Sequence, residues 1–382
     1  MELRVERDAL ADAVVWTARS LPARPPMQVL LGLLLEVGPD GGGLSVSGFD
    51  YEVSSRVVVD VLAADPGRVL VPGRLLSDIV RSLPAQPVEL RLEGGRVVLT
   101  CGAARFTLPT MAVEDYPSLP DMPTTAGTLD SDVLSAAVAQ VALAAGRDDT
   151  LPVLTGVRVE IEGETLTLAA TDRYRLAVRS LPWRPEAHDL STTALVPART
   201  LNDTAKALAG GSEVTLALAG GAAGEGMVGF EGTAGGVSRR TTSRLLEGEF
   251  PKYRSLLPNE STASAEVATA PFVEAVKRVA LVAERNTPVR LSFSADGVVL
   301  EAGGSDQAQA SEQLDATWHG DGPMQIAFNP GFLLDGLGAV GAESTVLSFT
   351  GPTRPAVLTA GGGPTGDAAD YRYLLMPVRL SG

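Results

Sequence analysis

The sequence predicts an α+β fold of three similar tandem units, with helices packed on largely antiparallel sheets. Two observations carry this. One strand-to-helix segment recurs three times, and the stretches between the copies alternate apolar and polar residues around tight-turn dipeptides. The segment VLVPGRLLSDIVRSL at 69–83 returns as ALVPARTLNDTAKAL at 194–208 and, more weakly, as IAFNPGFLLDGLGAV at 326–340. Its prolines, Pro72, Pro197 and Pro330, stand 125 and then 133 residues apart. Self-similarity at a near-fixed period is the signature of repeated architecture.

Each element can be justified in turn. In every copy an apolar strand runs into Pro, which a helix start tolerates because the missing N–H would have no helical partner there. Leu75, Leu76, Ile79, Val80 and Leu83 then recur at helical spacing. A second helix opens each unit: the run from Leu10 to Trp16 matches those from Leu134 to Gln140 and from Phe272 to Arg278. The stretches 44–61, 88–102, 166–180 and 289–303 alternate around turns and read as antiparallel hairpins. Asp50 in the first unit matches Asp172 in the second and, faintly, Asp306 in the third. Pro and small polar residues cluster at 119–125 and 258–263. Those joints divide the chain into 1–122, 123–258 and 259–382.

Composition narrows the function classes. Hydrophobic residues make up 45% and charged residues 20%, enough apolar material to bury cores, which excludes a disordered chain. A single cysteine, Cys101, excludes structural disulfides and a cysteine-rich zinc site. The net charge of −15 makes the average surface repel nucleic acid, so any DNA contact needs locally gathered cations. No apolar run approaches the length of about 18 residues that suggests a membrane span. The start, MELRVERDAL, lacks the apolar region of a signal peptide, so a soluble cytoplasmic protein is expected.

Little in the residues points to catalysis. Gly336-Leu-Gly-Ala-Val-Gly341 fits a dinucleotide pattern, but that loop must follow a strand and open a helix. Here it sits at the end of a helical stretch, 332–337, and reads as a glycine-rich helix exit. His188 and His319 lie in polar, turn-like stretches with no second histidine or cysteine beside them. Asp148 and Asp149 are adjacent, so on a helix they point apart; a turn at a helix end is the plainer reading. No metal, cofactor or enzymatic activity is expected. The cations Arg24, Arg74, Arg81, Arg147, Arg199, Lys206, Lys277 and Arg278 fall on the repeated helices or their flanking loops. They form either ordinary solvated faces or one gathered positive surface. The tail, 371–380, reads as a final strand broken by Pro377, either buried or an edge that needs a partner.

Several segments together resemble the bacterial β sliding clamp family, the processivity subunit of the replicative polymerase, in its high-GC Gram-positive form. They are Leu21-Pro-Ala-Arg24-Pro, Val71-Pro-Gly-Arg-Leu-Leu-Ser-Asp-Ile79, Ala170-Thr-Asp-Arg-Tyr-Arg-Leu176, Glu247-Gly-Glu-Phe-Pro-Lys-Tyr-Arg-Ser-Leu-Leu-Pro258 and Leu375-Met-Pro-Val-Arg-Leu380. The resemblance covers essentially the whole chain. It implies three domains per chain and two chains head to tail in a ring, with helices lining the hole and sheets outside. The implied role is non-catalytic: the ring encircles duplex DNA without reading sequence, and needs no cofactor. By the resemblance, Arg24, Arg74, Arg147, Arg199 and Lys206 face the DNA.

The resemblance also implies a pocket for short partner motifs, a Gln followed by Leu and Phe-like anchors. Its partners would be the polymerase alpha subunit, the clamp-loader delta subunit, other polymerases and repair proteins. The middle domain would contribute Leu154, Thr171, Arg173, Tyr174, Arg175, Leu176, Pro251, Ser255 and Leu256. The third domain would contribute Asn329, Phe332, Leu375, Met376, Pro377, Val378, Arg379 and Leu380. The subunit contact would use Arg105, Phe106 and Leu108 from the first domain and Leu281 from the third. The family's acidic cluster opposite is thin here, with Asp306 and Glu312 its acids within 305–312. Gln28 stands where the family usually has Pro, Ser255 where many relatives have Arg, and a glycine-rich insert occupies 361–367. These departures allow a second reading, a specialised copy that protects its host against a compound aimed at the pocket.

Overall fold

The computed structural model describes residues 1–40, 42–219, 226–258, 260–283, 287–303, 308–362 and 371–379. Six α-helices lie in the described residues: α1 (Arg7–Thr17), α2 (Gly73–Ser82), α3 (Ser131–Ala142), α4 (Ala198–Leu208), α5 (Thr269–Val279) and α6 (Pro330–Val340). They fall in the two recurring positions of each repeat. α2 and α4 begin right after Pro72 and Pro197, and α6 begins on Pro330 itself. All strand pairing between these elements is antiparallel, as the alternation predicts. The Gly94-Gly95 turn has φ of 52° and 82°, the left-handed conformations that a two-residue hairpin needs.

Compactness groups the repeats in an unexpected way. By compactness the chain also divides into two units, each drawing on more than one repeat. Unit 1 comprises Met1–Ser135, Trp183–Leu190 and Thr200–Leu245; unit 2 comprises Ala136–Pro182, Ser191–Arg199 and Leu246–Gly382. Each holds one nine-stranded sheet, with a five-stranded sheet in unit 1 and a four-stranded sheet in unit 2. The large sheets are continuous across the sequence joints. In unit 1, Val53–Val59 pairs with Val237–Arg244 from Val53↔Ser243 to Val58↔Ser238. In unit 2, Arg175–Pro182 pairs with Tyr371–Leu375. A row of backbone hydrogen bonds therefore joins segments that the repeat assigns to different domains.

The core of unit 1 shows why the amphipathic helices form. Leu10, Ala13 and Val14 of α1 and Leu76 and Val80 of α2 share one buried cluster with Leu3, Leu90 and Leu99 of the small sheet and Leu35, Val46 and Val57 of the large one. Burying a side chain such as Leu10 contributes about 2 kcal/mol. No helix among the described residues is long and apolar enough to cross a membrane.

Of the two readings of the tail, the structure shows the buried one. Tyr371–Leu375 is no edge strand: it lies between Arg175–Pro182 and Ala356–Ala360 and pairs with both. Pairing stops before Pro377, so the proline interrupts nothing. Met376 to Arg379 continue beyond the sheet, with Val378 N–H donating to Ala327 O at 2.8 Å. Leu380, Asp306 and most of the glycine-rich insert lie outside the described residues.

The glycine pattern in α6 has a packing origin. A Cβ on Gly336 would stand 2.4 Å from the Tyr373 ring, so only glycine lets the helix lie this close to the tail strand. Gly341 ends α6 in the left-handed conformation, φ 66°. His188 sits in an exposed turn, whereas His319 ends a short strand, Thr317–His319, paired with Ala263–Ala268.

Candidate functional site

Unit 2 contains a cleft of about 610 Å³ lined by three segments far apart in sequence. The first is the loop after α3. Gly146 N–H donates to Leu154 O at 2.7 Å and closes the loop on itself. Within it, Thr150 donates from its backbone and its hydroxyl to Asp148 Oδ1, at 3.0 and 2.6 Å. Those two bonds hold the Asp148 carboxyl below its ordinary pKa. Asp148 thus caps its own turn, as the plainer reading expected.

The second segment is the hairpin turn 172–175. Asp172 Oδ1 accepts from the N–H of Tyr174 and Arg175 at 3.0 and 3.1 Å. This forces Arg173 into the left-handed region, φ 79°. Thr171 donates its hydroxyl to Arg175 O at 2.6 Å, within the turn itself. Tyr174 is left 58% exposed. Its carbonyl accepts from Met376 N–H at 2.9 Å, which ties the tail beside the turn.

The third segment is the start of α6. Asn329 caps the helix by accepting from Phe332 N–H at 3.1 Å. Tyr373 donates its hydroxyl to Phe332 O at 2.8 Å. Phe332 stacks with Tyr174 at a centroid distance of 6.1 Å and 25° between planes.

Arg175 joins the second segment to the third. Its side chain is 6% exposed, with Nε donating to Asp172 Oδ2 at 3.0 Å and Nη1 to Asp335 Oδ2 at 2.5 Å. The guanidinium carbon sits 4.4 Å from the Phe332 ring centroid, a cation–π contact. Burial opposes the charge, but hydrogen bonds with Tyr373 and Asp335 outweigh it and hold the guanidinium's pKa above its ordinary value. Arg175 is therefore a buried hub rather than an open polar wall.

The residues named from sequence sort themselves into groups. Leu154, Arg173, Tyr174, Arg175, Asn329 and Phe332 line the cleft, and so does Arg147. Thr171, Leu176 and Leu375 are almost fully buried behind it. Leu176 belongs to an apolar cluster with Phe250, Tyr253, Val357 and Leu374. Pro251, Ser255 and Leu256 lie on the strap 246–258, and Met376, Pro377, Val378 and Arg379 lie on the tail; these are not among the cleft's lining residues. The strap is pinned by Glu160, which accepts from Tyr253 Oη at 2.6 Å and Arg254 Nη2 at 2.7 Å. Arg24, Arg74 and Lys206 are exposed in unit 1, and Arg199 is exposed in unit 2.

At the expected subunit edge, Arg105 is exposed, Phe106 half-buried and Leu108 fully buried in the core of unit 1. Alternation places Phe106 and Leu108 on the same, core-facing side of the strand, with Leu108 the more deeply buried of the two. Leu281 is 84% exposed. Glu312 is taken within the chain by Arg278, at 2.5 Å. Sequence reasoning missed Asp335 and Leu151 as cleft residues. Their signal was weak: the pattern shows a helical acid and a loop leucine, with no cue that either meets the 172–175 turn.

Comparison with known proteins agrees along the whole chain. Three domain families match in order: DNA polymerase III beta subunit, N-terminal domain over residues 1–120, central domain over 128–252 and C-terminal domain over 254–379. The chain is 60% identical to the beta sliding clamp of Streptomyces coelicolor over 100% of both. It is 43% identical to the beta sliding clamp homolog GriR of Streptomyces muensis, again over 100% of both. Among solved structures, a Pseudomonas aeruginosa sliding clamp bound to griselimycin superposes with a TM-score of 0.88 at 28% identity, covering 100% of each chain. With three clamp domains in order and full-length identity of this size, the chain belongs to the DNA polymerase III beta subunit family, the bacterial sliding clamps.

Proposed function

We propose that two copies close head to tail around duplex DNA in the cytoplasm and tether the replicative polymerase, giving it processivity without catalysis. The observation that carries this reading is the 60% identity with the S. coelicolor clamp over 100% of both chains. Arg24, Arg74, Arg147, Arg199 and Lys206 are the proposed contacts to the phosphate backbone. Such contacts carry no sequence information, which suits a ring that slides. The edge at Arg105 and Phe106 and the exposed Leu281 are the proposed halves of the subunit contact. The test is retention: the dimer should stay on nicked circular DNA and run off when that DNA is linearised. Equal retention on both would rule out encirclement. Reversing Arg74 and Lys206 to Glu should weaken loading and flatten its salt dependence.

The cleft of unit 2 is proposed to take the short motifs of the polymerase alpha subunit, the clamp-loader delta subunit and repair proteins. Leu151 and Tyr174 in the cleft, and Leu256, Met376 and Val378 on the strap and tail, support this. With Leu281, they are the large apolar side chains left exposed in unit 2 among the described residues. Apolar exposure of this kind marks a docking surface. The alternative, a specialised copy guarding against a pocket-directed compound, rests on Gln28, Ser255 and the insert at 361–367. Identity of 60% with the S. coelicolor clamp against 43% with homolog GriR favours the ordinary role. Viability of the host with this gene as its sole clamp tests that preference.

A further inference from the structure

Asp335 is one of three acids that line the cleft, and the one that lies on α6. α6 places Phe332 and Asp335 one turn apart on one face. The 172–175 turn lies 160 residues earlier, so cleft geometry depends on how that turn is held against the helix. Asp335 Oδ2 accepts from Arg175 Nη1 at 2.5 Å, and the same guanidinium lies over Phe332. Tyr174, the neighbour of Arg175, stacks on Phe332. The two carboxylate partners of Arg175 differ in setting. Asp172 is 15% exposed and sits within the turn, while Asp335 is 50% exposed and sits on the helix.

We propose that Asp335 is a positioning residue of the docking cleft: through Arg175 it holds the turn to α6 and keeps Tyr174 and Phe332 in the stacked arrangement that an incoming anchor meets. This rests on the docking reading of the cleft. An aromatic pair ordered in advance need not be immobilised on binding, which raises affinity without adding a contact to the ligand. Replacing Asp335 leaves Arg175 with Asp172, so its buried charge keeps a partner and the fold survives. The charged link to the helix is what is lost, while the contact of the guanidinium with the Phe332 ring remains.

The experiment uses the full chain, labelled with 3-fluorotyrosine, and the peptide acetyl-Gln-Leu-Ala-Leu-Phe-amide. Tyr174→Phe assigns the Tyr174 fluorine resonance. Asp335→Asn, which keeps shape and removes charge, should shift or broaden that resonance before any peptide is added. It should weaken peptide binding about tenfold, in line with a lost charged hydrogen bond. Asp335→Glu, which keeps the charge on a longer arm, should restore part of both. A Tm within about 4 °C of the parent would separate positioning from unfolding. An unchanged Tyr174 resonance in Asp335→Asn overturns the proposal, as does parent-like affinity. A parent protein that binds no peptide overturns the docking reading instead. The unliganded resonance then still decides whether Asp335 orders the aromatic pair.

Discussion

Two hairpin turns, one in each unit, share a backbone plan and end in different company. In unit 1, Asp50 Oδ1 accepts from the N–H of Glu52 and Val53 at 2.9 and 2.6 Å. In unit 2, Asp172 does the same for Tyr174 and Arg175. The residue after each aspartate is left-handed: Tyr51 at 73° and Arg173 at 79°. From there the turns diverge. Tyr51 leans on Phe49, with ring centroids 5.3 Å apart, and its hydroxyl lies 3.5 Å from Met27 Sδ. Val53 occupies the place that Arg175 holds in unit 2. Burial pushes the Asp50 carboxyl up, and its backbone donors offset only part of that. The repeat supplies the turn; the residue three positions after the aspartate decides whether it closes locally or reaches across to a helix.

Exchanging that residue is the most severe way to break the comparison. Arg175→Val gives unit 2 the residue of unit 1 and leaves Asp172 and Asp335 without their shared cation. The expected cost is about 3 kcal/mol of stability, read from denaturant unfolding. A loss below about 0.5 kcal/mol, the usual bound for a neutral surface change, would mean that Arg175 is no hub. Next in size is a functional contrast. Tyr174→Ala should weaken binding of a Gln-Leu-Phe-type peptide by about 1.5 kcal/mol, whereas Tyr51→Ala should leave it unchanged. Calorimetric titration of both variants decides whether the unit 1 turn is a second docking site.

Acid should separate the units as well. Glu160 is buried, which alone would raise its pKa. The hydrogen bonds from Tyr253, Arg254 and Arg158 outweigh this and hold it below the ordinary 4.5. A carboxyl depressed on folding stabilises above its unfolded pKa and loses that contribution as pH falls through the folded one. Below pH 4.5, protection of the 251–257 amides relative to their intrinsic exchange rates should therefore fall, and Glu160→Gln should remove that pH dependence. Exchange in 111–119 of unit 1 should be indifferent to the substitution. At the alkaline end, burial and the bond to Glu160 push the Tyr253 phenol up to about 12. Its contribution is complete below 10 and fades as pH rises from there. The smallest effect belongs to the left-handed residues. Tyr51→Gly and Arg173→Gly each relieve strain of about 1 kcal/mol but loosen the unfolded chain by nearly as much. Each should change stability by less than about 0.5 kcal/mol; a larger loss would assign the side chain a packing role.

Local features were legible in the sequence because local chemistry fixes them. Pro72 and Pro197 marked helix starts, Gly94-Gly95 marked a hairpin, and Asp50 and Asp172 matched as one repeated position. Long-range partners were not. Nothing in the local pattern around Asp335 shows that it meets Arg175, and nothing around Tyr371 shows that its strand has neighbours on both sides. The resemblance places Leu108 at the subunit edge, and no local cue shows that its side chain is buried in the core of unit 1. The cleft was named largely by resemblance, and the hub inside it became visible only when the chain was folded.

The seam between Val53–Val59 and Val237–Arg244 has a consequence for any attempt to shorten the protein. A fragment ending near residue 122 would keep its helices and much of its core yet lose the neighbour of Val53–Val59. That strand would present a bare row of N–H and C=O groups along a sequence in which Val57, Val58 and Val59 follow one another. Such an edge recruits any compatible strand, including another copy of itself. The repeat that is easiest to recognise in the sequence is thus poorly suited to live alone: cut out at its sequence joint, it would be sticky.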